Sequence, residues 1–516
     1  MKVFYNANVY TGTGFVRAFA VEDGRFTFVG NEADVPVGER IDLGGAFVCA
    51  GFNDSHMHLL NYGQSLCMAP LHTHTGSLAQ MLDCLKAARP QRGWILGRGW
   101  NQDCFADEAR MPCRSDLDQV SLTLPVCAIR ACGHALVVNS KALEILGITA
   151  DTAVPEGGAM DFENGRFFDN AMDPVLAAIP APDTQTLKDY IRTACRELNR
   201  RGITSCHSDD YCVFRQIPWQ QVNEAYRQLE EEGTLTVRVR QQVNLTTVPE
   251  LNAFLETEQP ATAMYATGPL KLLGDGALGA RTALLSRPYA DAPETRGLSV
   301  FTAEQFRALI GCAHAAGMQT AIHCIGDACL DLVLDAIEKA QAAHPRPDAR
   351  HGIVHCQITR PEQLRRIAEN RLHVYAQSIF LDYDIHIVQE RAGKDLAQSS
   401  YSWKTLRNLG ATVSNGSDCP VESPEVLAGI QCAVTRRDLK GYGPYLPEEA
   451  FTVKEALDSF TQGGAYAGFE ETVKGRIEPG HLADFTVLGA DPFRTDPAAL
   501  KDIPVLQTWL GGQRVW

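Results

Sequence analysis

The chain has 516 residues, of which 45% are hydrophobic and 21% charged, and its formal net charge is −15. These values are typical of a soluble globular protein and argue against intrinsic disorder, while the negative charge disfavours nucleic acid and anionic membranes as partners. No run is long and apolar enough to cross a bilayer, so we expect a cytoplasmic location. The 16 cysteines are scattered singly, which predicts free thiols rather than disulfides.

Both ends of the chain are rich in short β patterns. Near the N-terminus, Asp23-Gly24 lies between two alternating runs, and near the C-terminus Gly511-Gly512 does the same. Such dipeptides favour two-residue hairpin turns. We therefore predict one composite β-sandwich, built from residues 1–50 and 471–516.

Between the two ends, β-rich runs alternate with amphipathic helical patterns. The β-rich runs are 46–58, 202–210, 237–244, 268–276, 319–327, 351–357, 373–380 and 411–420. Helical periodicity is clear over 187–202, 303–317 and 330–344, where apolar residues recur three or four positions apart. Eight strands with helical crossovers predict an α/β fold, a (β/α)8 TIM barrel over residues 51–70 and 200–470.

One interval is too long for a single strand–helix connection. Residues 71–199 contain turns and apolar runs of their own, so we expect an inserted subdomain after strand 1 that covers the barrel mouth.

Two His-x-His pairs occur in the sequence. His72 and His74 lie in polar, turn-like sequence, which favours solvation or local hydrogen bonds, whereas His56 and His58 end a predicted strand. Because strand side chains alternate, both of these imidazoles point into the barrel at its carboxyl end, where barrel enzymes assemble their sites. Two histidines are too few to hold an ion, so other strands must supply further ligands.

Four more ligand-capable residues end predicted strands: Lys271, His323, His355 and Asp418. Each has an ordinary structural alternative. The histidines fit hydrogen-bonded core positions and Asp418 fits a turn or helix cap. Lys271 fits an ion pair with Asp275 or a position at the edge of the core. Their joint occurrence at one rim favours a metal site.

The lysine requires a chemical explanation, since an ammonium has no lone pair and repels a cation. A desolvated lysine near cations loses its proton more readily, and the free amine can take up carbon dioxide to form a carbamate. This anion is able to bridge two metal ions.

Motifs around these residues resemble the amidohydrolase superfamily, specifically the amidohydrolase family 3 branch that includes N-substituted formamide deformylases. The motifs are GFNDSHMHL, CGHALVVNSKAL, LKLLGDGALGARTALLSRPY, HCIGD, HCQ, SDCPVE and GRIEPGHLADFTVLGADP, in the family's order. The resemblance implies a binuclear barrel, usually with zinc. His56, His58 and Asp418 would bind one ion, His323 and His355 the second, and carboxylated Lys271 would bridge them.

The resemblance also implies a reaction, hydrolysis of a non-peptide amide carbon–nitrogen bond in a small molecule by a hydroxide that bridges the two ions. Divalent ions make such a hydroxide available near neutral pH. Asp418 would act as general base and then general acid. His134, Gly276 and Gly279 are candidate substrate contacts, while Trp94, Trp100 and Phe105 fit packing better than a pocket.

Two other functions stay open. A mononuclear deaminase on the same barrel would use one ion and an unmodified lysine, although the segment after strand five has Asp327 where a glutamate is expected. A catalytically dead barrel serving as a binding scaffold would tend to have lost metal ligands, and all six are present. The oligomeric state is also open, with a homodimer as one arrangement.

Overall fold

Eight parallel strands form the central sheet of the computed structural model, which describes residues 1–73, 76–108, 110–131, 135–155, 158–214 and 216–516. In chain order these strands, β1–β8, are Phe52–Met57, Ile203–Ser208, Arg238–Asn244, Tyr265–Leu273, Thr320–Cys324, Gly352–His355, His373–Ala376 and Thr412–Asn415. Each strand pairs with the next in sequence. The α/β class and the barrel are therefore confirmed, and each of the eight predicted runs overlaps one barrel strand.

The first and last strands of the barrel meet at their carboxyl ends. The Asp418 N–H donates to the His56 carbonyl and the His58 N–H to the Cys419 carbonyl, each at 2.8 Å. These bonds bring the segment after β8 alongside the end of β1. They nearly close the sheet where the candidate ligands lie.

Helices follow most barrel strands. They are Thr184–Arg200, Trp219–Glu231, Val248–Leu255, Ala303–Ala315, Asp327–Ala343, Pro361–Glu369, Leu381–Asp384, Val388–Ala397, Trp403–Asn408, Val426–Thr435, Val453–Ser459 and Gln462–Ala467. The three predicted helices are among them. The helix Ala303–Ala315 begins with a capping box between Thr302 and Gln305 and buries its apolar face.

Strands from both chain ends form two further sheets. They are Lys2–Tyr5, Asn8–Tyr10, Phe15–Val16, Ala18–Glu22, Arg25–Gly30, Glu39–Asp42, Phe47–Ala50, Phe485–Leu488, Val505–Leu510 and Gln513–Arg514. One four-stranded sheet uses N-terminal strands, and one six-stranded sheet combines both ends. Phe4 of the first sheet packs on Phe485 and Trp509 of the second, with ring centroids about 5 Å apart.

The predicted hairpin turns are present at both ends. Asp23 and Gly24 have φ angles of 49° and 75°, and Gly511 and Gly512 have φ angles of 53° and 71°. Positive φ at both central residues is the geometry of the tight hairpin turn that fits strand twist. Both turns join adjacent antiparallel strands.

The chain divides into two compact units. The first comprises Met1–Leu59, Cys195–Val213 and Tyr226–Trp516, and the second comprises Leu60–Ala194 and Phe214–Ala225. The second unit has a six-stranded sheet of Ala69–Pro70, Ile95–Trp100, Val126–Arg130, Ala135–Val138, Gly158–Asp161 and Arg166–Asp169. Its α-helices are Leu59–Cys67, Leu78–Ala87, Arg114–Asp118, Ser140–Leu146 and Asp173–Ala178.

Aromatic residues of the second unit pack in its core. Trp94, Trp100 and Phe105 are all buried, and the Trp100 indole N–H donates to the Ala128 carbonyl at 2.9 Å. This confirms the packing interpretation of these three residues.

Short 3-10 helices complete the secondary structure. They are Glu32–Asp34, Leu71–Thr73, Gln102–Cys104, Asn170–Met172, Ser378–Phe380, Pro447–Glu449 and Pro497–Asp502. The cysteines within the described ranges are free thiols, as predicted. Among the helices of the described residues, none has the length and apolar character needed to cross a bilayer.

Candidate metal centre

Three candidate ligands meet at the seam between β1 and β8. The Nε2 atoms of His56 and His58 each lie 3.2 Å from Oδ1 of Asp418. One atom from each of these residues falls within 4.8 Å of the other two. Two imidazole nitrogens and a carboxylate oxygen at this spacing can hold one divalent ion.

Backbone geometry explains why these groups approach so closely. Asp418 has a φ of 58°, in the left-handed region that non-glycine residues rarely adopt. Gly416, two residues earlier, has no side chain, and a Cβ there would lie 2.5 Å from the backbone nitrogen of His56. The turn after β8 therefore presses its backbone against β1 and directs Asp418 at the two histidines.

Histidine orientation is fixed by acceptors around the site. In three rings Nδ1 faces an oxygen: Gln242 Oε1 at 2.7 Å from His56, Asp209 O at 3.0 Å from His58, and Gln377 Oε1 at 2.7 Å from His355. An oxygen acceptor requires a proton on Nδ1, which leaves the Nε2 lone pair free. Three rings are therefore preset as Nε2 ligands.

The other two histidines lie beside this group. The ring centroids of His323 and His355 are 4.5 Å apart, and those of His355 and His56 are 5.6 Å apart. His323 Nε2 lies 3.0 Å from the Gly276 carbonyl oxygen and 3.3 Å from Asp275 Oδ1. Its Nδ1 is therefore the nitrogen that remains for a metal ion.

Lys271 is fully buried and its charge partner is Asp209. The Lys271 Nζ lies 3.7 Å from Asp209 Oδ2, and both side chains have 0% exposure. Among the described residues, neither Nζ nor Asp209 Oδ1 has a hydrogen-bond partner. The alternative that paired Lys271 with Asp275 is wrong, because the carboxylate that faces Lys271 is Asp209. Asp275 instead accepts from the backbone N–H groups of Leu284, Ile325 and Gly326.

Burial and the Asp418 carboxylate shift the pKa values of the two histidines in opposite directions. Burial lowers the pKa of His56 to about 4. Burial also opposes the charged form of His58, but Asp418, Cys212 and Asp209 outweigh it and raise the pKa of His58 well above its usual value. Burial would raise the pKa of Asp418, yet the contacts with His56 and His58 hold it well below the usual range. In the metal-free site the same contact therefore favours a proton on His58 and the ionised form of Asp418.

The structure also identifies site residues that the sequence reasoning missed. They are Asp209, Gln242, Gln377 and Glu422. Asp209 follows β2 in the segment HSDD, so its position at a strand end was the available signal. Glu422 belongs to SDCPVE, and burial together with Asp382, Asp384 and Asp418 raises its pKa to about 7. The two glutamines gave no signal, because an amide at a strand end has no specific spacing.

The candidate substrate contacts differ in their positions. His134 lies outside the described residues. Gly276 borders the site through its carbonyl, and a Cβ there would meet Thr282 Oγ1 at 2.1 Å. A Cβ at Gly279 would meet only ordinary contacts with Ile387 and Tyr383. Substrate binding by these residues stays a prediction. Of the second His-x-His pair, His72 is exposed within the 3-10 helix Leu71–Thr73, and His74 lies outside the described residues.

Comparisons with known proteins identify similar chains. A model of the amidohydrolase family matches residues 39–516. The chain is 34% identical to putative amidohydrolase YtcJ of Bacillus subtilis, covering 93% of this chain and 91% of the relative. It is 29% identical to LONG AFTER FAR-RED 3 of Arabidopsis thaliana (99% and 91% covered) and 25% identical to N-substituted formamide deformylase of Arthrobacter pascens (98% and 96%).

A solved structure matches the whole fold. An uncharacterized metal-dependent hydrolase from Pyrococcus furiosus superposes with a TM-score of 0.82 at 29% identity, covering 96% of this chain and 100% of that chain. The similarity therefore extends over both units of the chain.

Proposed function

Because this chain belongs to the amidohydrolase family and is a metal-dependent hydrolase, we propose that it hydrolyses a carbon–nitrogen amide bond in a small, non-peptide molecule. The observation that carries the proposal is the meeting of His56, His58 and Asp418 at one point, each with a ligand atom turned inward. The relative named N-substituted formamide deformylase supports the choice of an amide.

We propose two divalent ions, with zinc as the metal, since imidazole and carboxylate ligands suit it. His56, His58 and Asp418 would hold one ion, His323 and His355 the second, and a carbamate on Lys271 would bridge them. The buried Nζ and Asp209 Oδ1, which lack hydrogen-bond partners in the described ranges, fit such a group. Unsatisfied buried polar atoms are costly, so an additional ligand at this position is physically reasonable.

The carbamate would form in one balanced step. The neutral Lys271 amine forms a nitrogen–carbon bond to carbon dioxide, the electrons of one carbon–oxygen double bond move to oxygen, and the nitrogen releases one proton to solvent. Lys271 is fully buried, and a buried anion is costly without a counter-charge, so the product would depend on the positive charge of the two ions.

Bound divalent ions would supply a polarised substrate carbonyl and a more acidic water. Asp418 would move the proton. Its carboxylate is held ionised by its histidine neighbours, so it can accept a proton from the attacking water and donate it to the departing nitrogen. Gln242 and Gln377 keep the rings of His56 and His355 fixed during these steps.

The mononuclear deaminase is the second candidate, and one observation favours it. Lys271 faces Asp209 as an ion pair at 3.7 Å, an arrangement that an unmodified lysine also explains. Metal stoichiometry separates the two functions, since the first requires two ions and the second requires one.

Several wider assignments are part of the same proposal. We propose that the sheets from residues 1–50 and 471–516 form one β-sandwich, supported by their shared aromatic core. Residues 51–70 and 200–470 would be the metal-binding barrel and 71–199 a cap subdomain. The partner would be a small amide, with His134, Gly276 and Gly279 as contacts, in a cytoplasmic protein for which a homodimer is one arrangement.

The direct test is an activity screen combined with removal of the lysine. Metal-replete protein grown with bicarbonate is assayed against N-formyl, N-acyl and cyclic amides. We expect Lys271→Ala to bind about one ion instead of two and to lose at least about 100-fold in turnover, because the bridging ligand is gone. Lys404→Ala, which removes a lysine paired with Glu455, is the control. Unchanged turnover and metal content in Lys271→Ala would eliminate the bridging role.

A further inference from the structure

We propose that Asp209 is a positioning residue of the metal centre, which accepts a hydrogen bond from the carbamate nitrogen of Lys271 and so aims the carbamate oxygens at the histidines. This inference rests on the proposed function, because it requires the modified lysine. It concerns a residue outside the six ligands, located at the end of β2.

The backbone of Asp209 holds the segment that contains His56 and His58 in place. Its N–H donates to the Met57 carbonyl at 2.9 Å, between the two ligand histidines. Its carbonyl accepts from His58 Nδ1 at 3.0 Å. The backbone of Asp209 therefore fixes both the position of the segment and the tautomer of His58.

The side chain of the same residue points at Lys271. Asn244 Nδ2 donates to Asp209 Oδ2 at 3.1 Å and holds the carboxylate in place. Lys271 Nζ is 3.7 Å from that oxygen, too far for a hydrogen bond. A fully buried amine and a fully buried carboxylate thus face each other with their hydrogen-bonding capacity incompletely used, and such unsatisfied buried groups are costly.

A carbamate would use this arrangement better. Its nitrogen keeps one hydrogen, which needs an acceptor in a buried site, and Asp209 is the carboxylate next to that nitrogen. The group is planar, with one oxygen cis and the other trans to the N–H. An N–H directed at Asp209 would therefore fix the plane in which both oxygens lie, and that plane sets the directions in which they can bind metal ions. Two divalent ions would offset the added negative charge beside Asp209.

The test measures the carbamate and the metal directly in the full-length holoenzyme. Protein is equilibrated with 13C-bicarbonate and zinc, the carbamate is observed by 13C NMR, and zinc per chain is measured by elemental analysis. In Asp209→Ala we expect the carbamate signal to fall at least about fivefold and bound zinc to fall from about two ions to about one. Asp209→Asn keeps an oxygen acceptor, and we expect it to retain more than about half of the signal.

Two further variants control for folding. Asp210 is the neighbouring buried carboxylate, which accepts from Ser208 Oγ at 2.7 Å and Tyr226 Oη at 2.6 Å. Asp210→Asn should keep both the carbamate and the zinc. If Asp209→Ala does not fold, Asn244→Ser replaces it in the test. This variant keeps the Asp209 carboxylate but removes the Asn244 amide that donates to it. We expect about a twofold loss of carbamate signal.

The kinetic readout separates positioning from substrate binding. With any amide found to be a substrate, Asp209→Ala should lower kcat about 100-fold and change KM less than about threefold. A full carbamate signal with two zinc ions in Asp209→Ala would overturn the role of Asp209 alone. A wild-type protein with one ion and no carbamate would overturn the binuclear function and this inference together.

Discussion

His58 Nε2 lies 3.2 Å from Asp418 Oδ1, and this carboxylate helps to raise the pKa of His58, so a metal ion competes with a proton for that nitrogen. His56, by contrast, is already neutral, because burial lowers its pKa to about 4. Only neutral imidazoles bind metals. The two adjacent histidines therefore respond differently to pH, although both contact one carboxylate.

Metal affinity should rise with pH. The pKa of His58 is raised above its ordinary value, so the metal-free protein holds this proton below that pKa and releases it above. We expect zinc affinity, measured by chelator competition between about pH 6 and 8, to increase with pH by up to about tenfold per unit. Calorimetry in buffers of different ionisation enthalpy should show proton release on binding.

The pH dependence of zinc affinity is measured in the Lys271→Ala protein, because carbamate formation on Lys271 would also release a proton and obscure the contribution of His58. A zinc affinity that does not change with pH in that protein would contradict the raised pKa of His58.

At the scale of elements, the site depends on the seam between β1 and β8. The segment after β8 reaches His56 and His58 through backbone hydrogen bonds of 2.8 Å. Gly416 permits this approach, because a Cβ there would lie 2.5 Å from the backbone nitrogen of His56 and 2.7 Å from Asp54 Oδ1. The positions of Asp418, His56 and His58 relative to one another therefore depend on the backbone contacts between β1 and the segment after β8.

Gly416→Ala should separate the two strands. We expect it to lower the free energy of unfolding by about 1–3 kcal/mol through overpacking, and to weaken zinc binding about tenfold by moving Asp418. Gly311→Ala is the matched control, because a Cβ within that helix meets nothing within 4 Å, and it should slightly increase stability. Equal zinc affinity in the two variants would show that the junction does not set the ligand geometry.

At the scale of the whole molecule, the terminal sheets are tied to the barrel by a buried ion pair. Arg238, the first residue of β3, donates to both carboxylate oxygens of Asp484 at 2.7 and 3.0 Å. Asp484 Oδ1 also accepts from the Gly511 N–H at 2.8 Å. One carboxylate thus joins a barrel strand to the C-terminal hairpin.

Breaking this pair should be costly. Asp484→Ala leaves the Arg238 charge buried and unpaired, and we expect a loss of about 3–5 kcal/mol in the free energy of unfolding, measured by urea titration. The double variant Arg238→Met with Asp484→Leu should recover most of that loss, because no unpaired charge remains. A double variant that is less stable than Asp484→Ala would contradict this explanation.

The sequence by itself determined the barrel strands, the hairpin turns and the six candidate ligands. Those features depend on local periodicity and on position at a strand end, which are visible in short stretches. The tertiary structure decided which groups surround those ligands. Asp209 faces Lys271, Gln242 faces His56, and Gly416 packs on β1, and each pair is far apart in sequence. Such contacts follow from closure of the sheet, which brings strand ends together without leaving a local pattern.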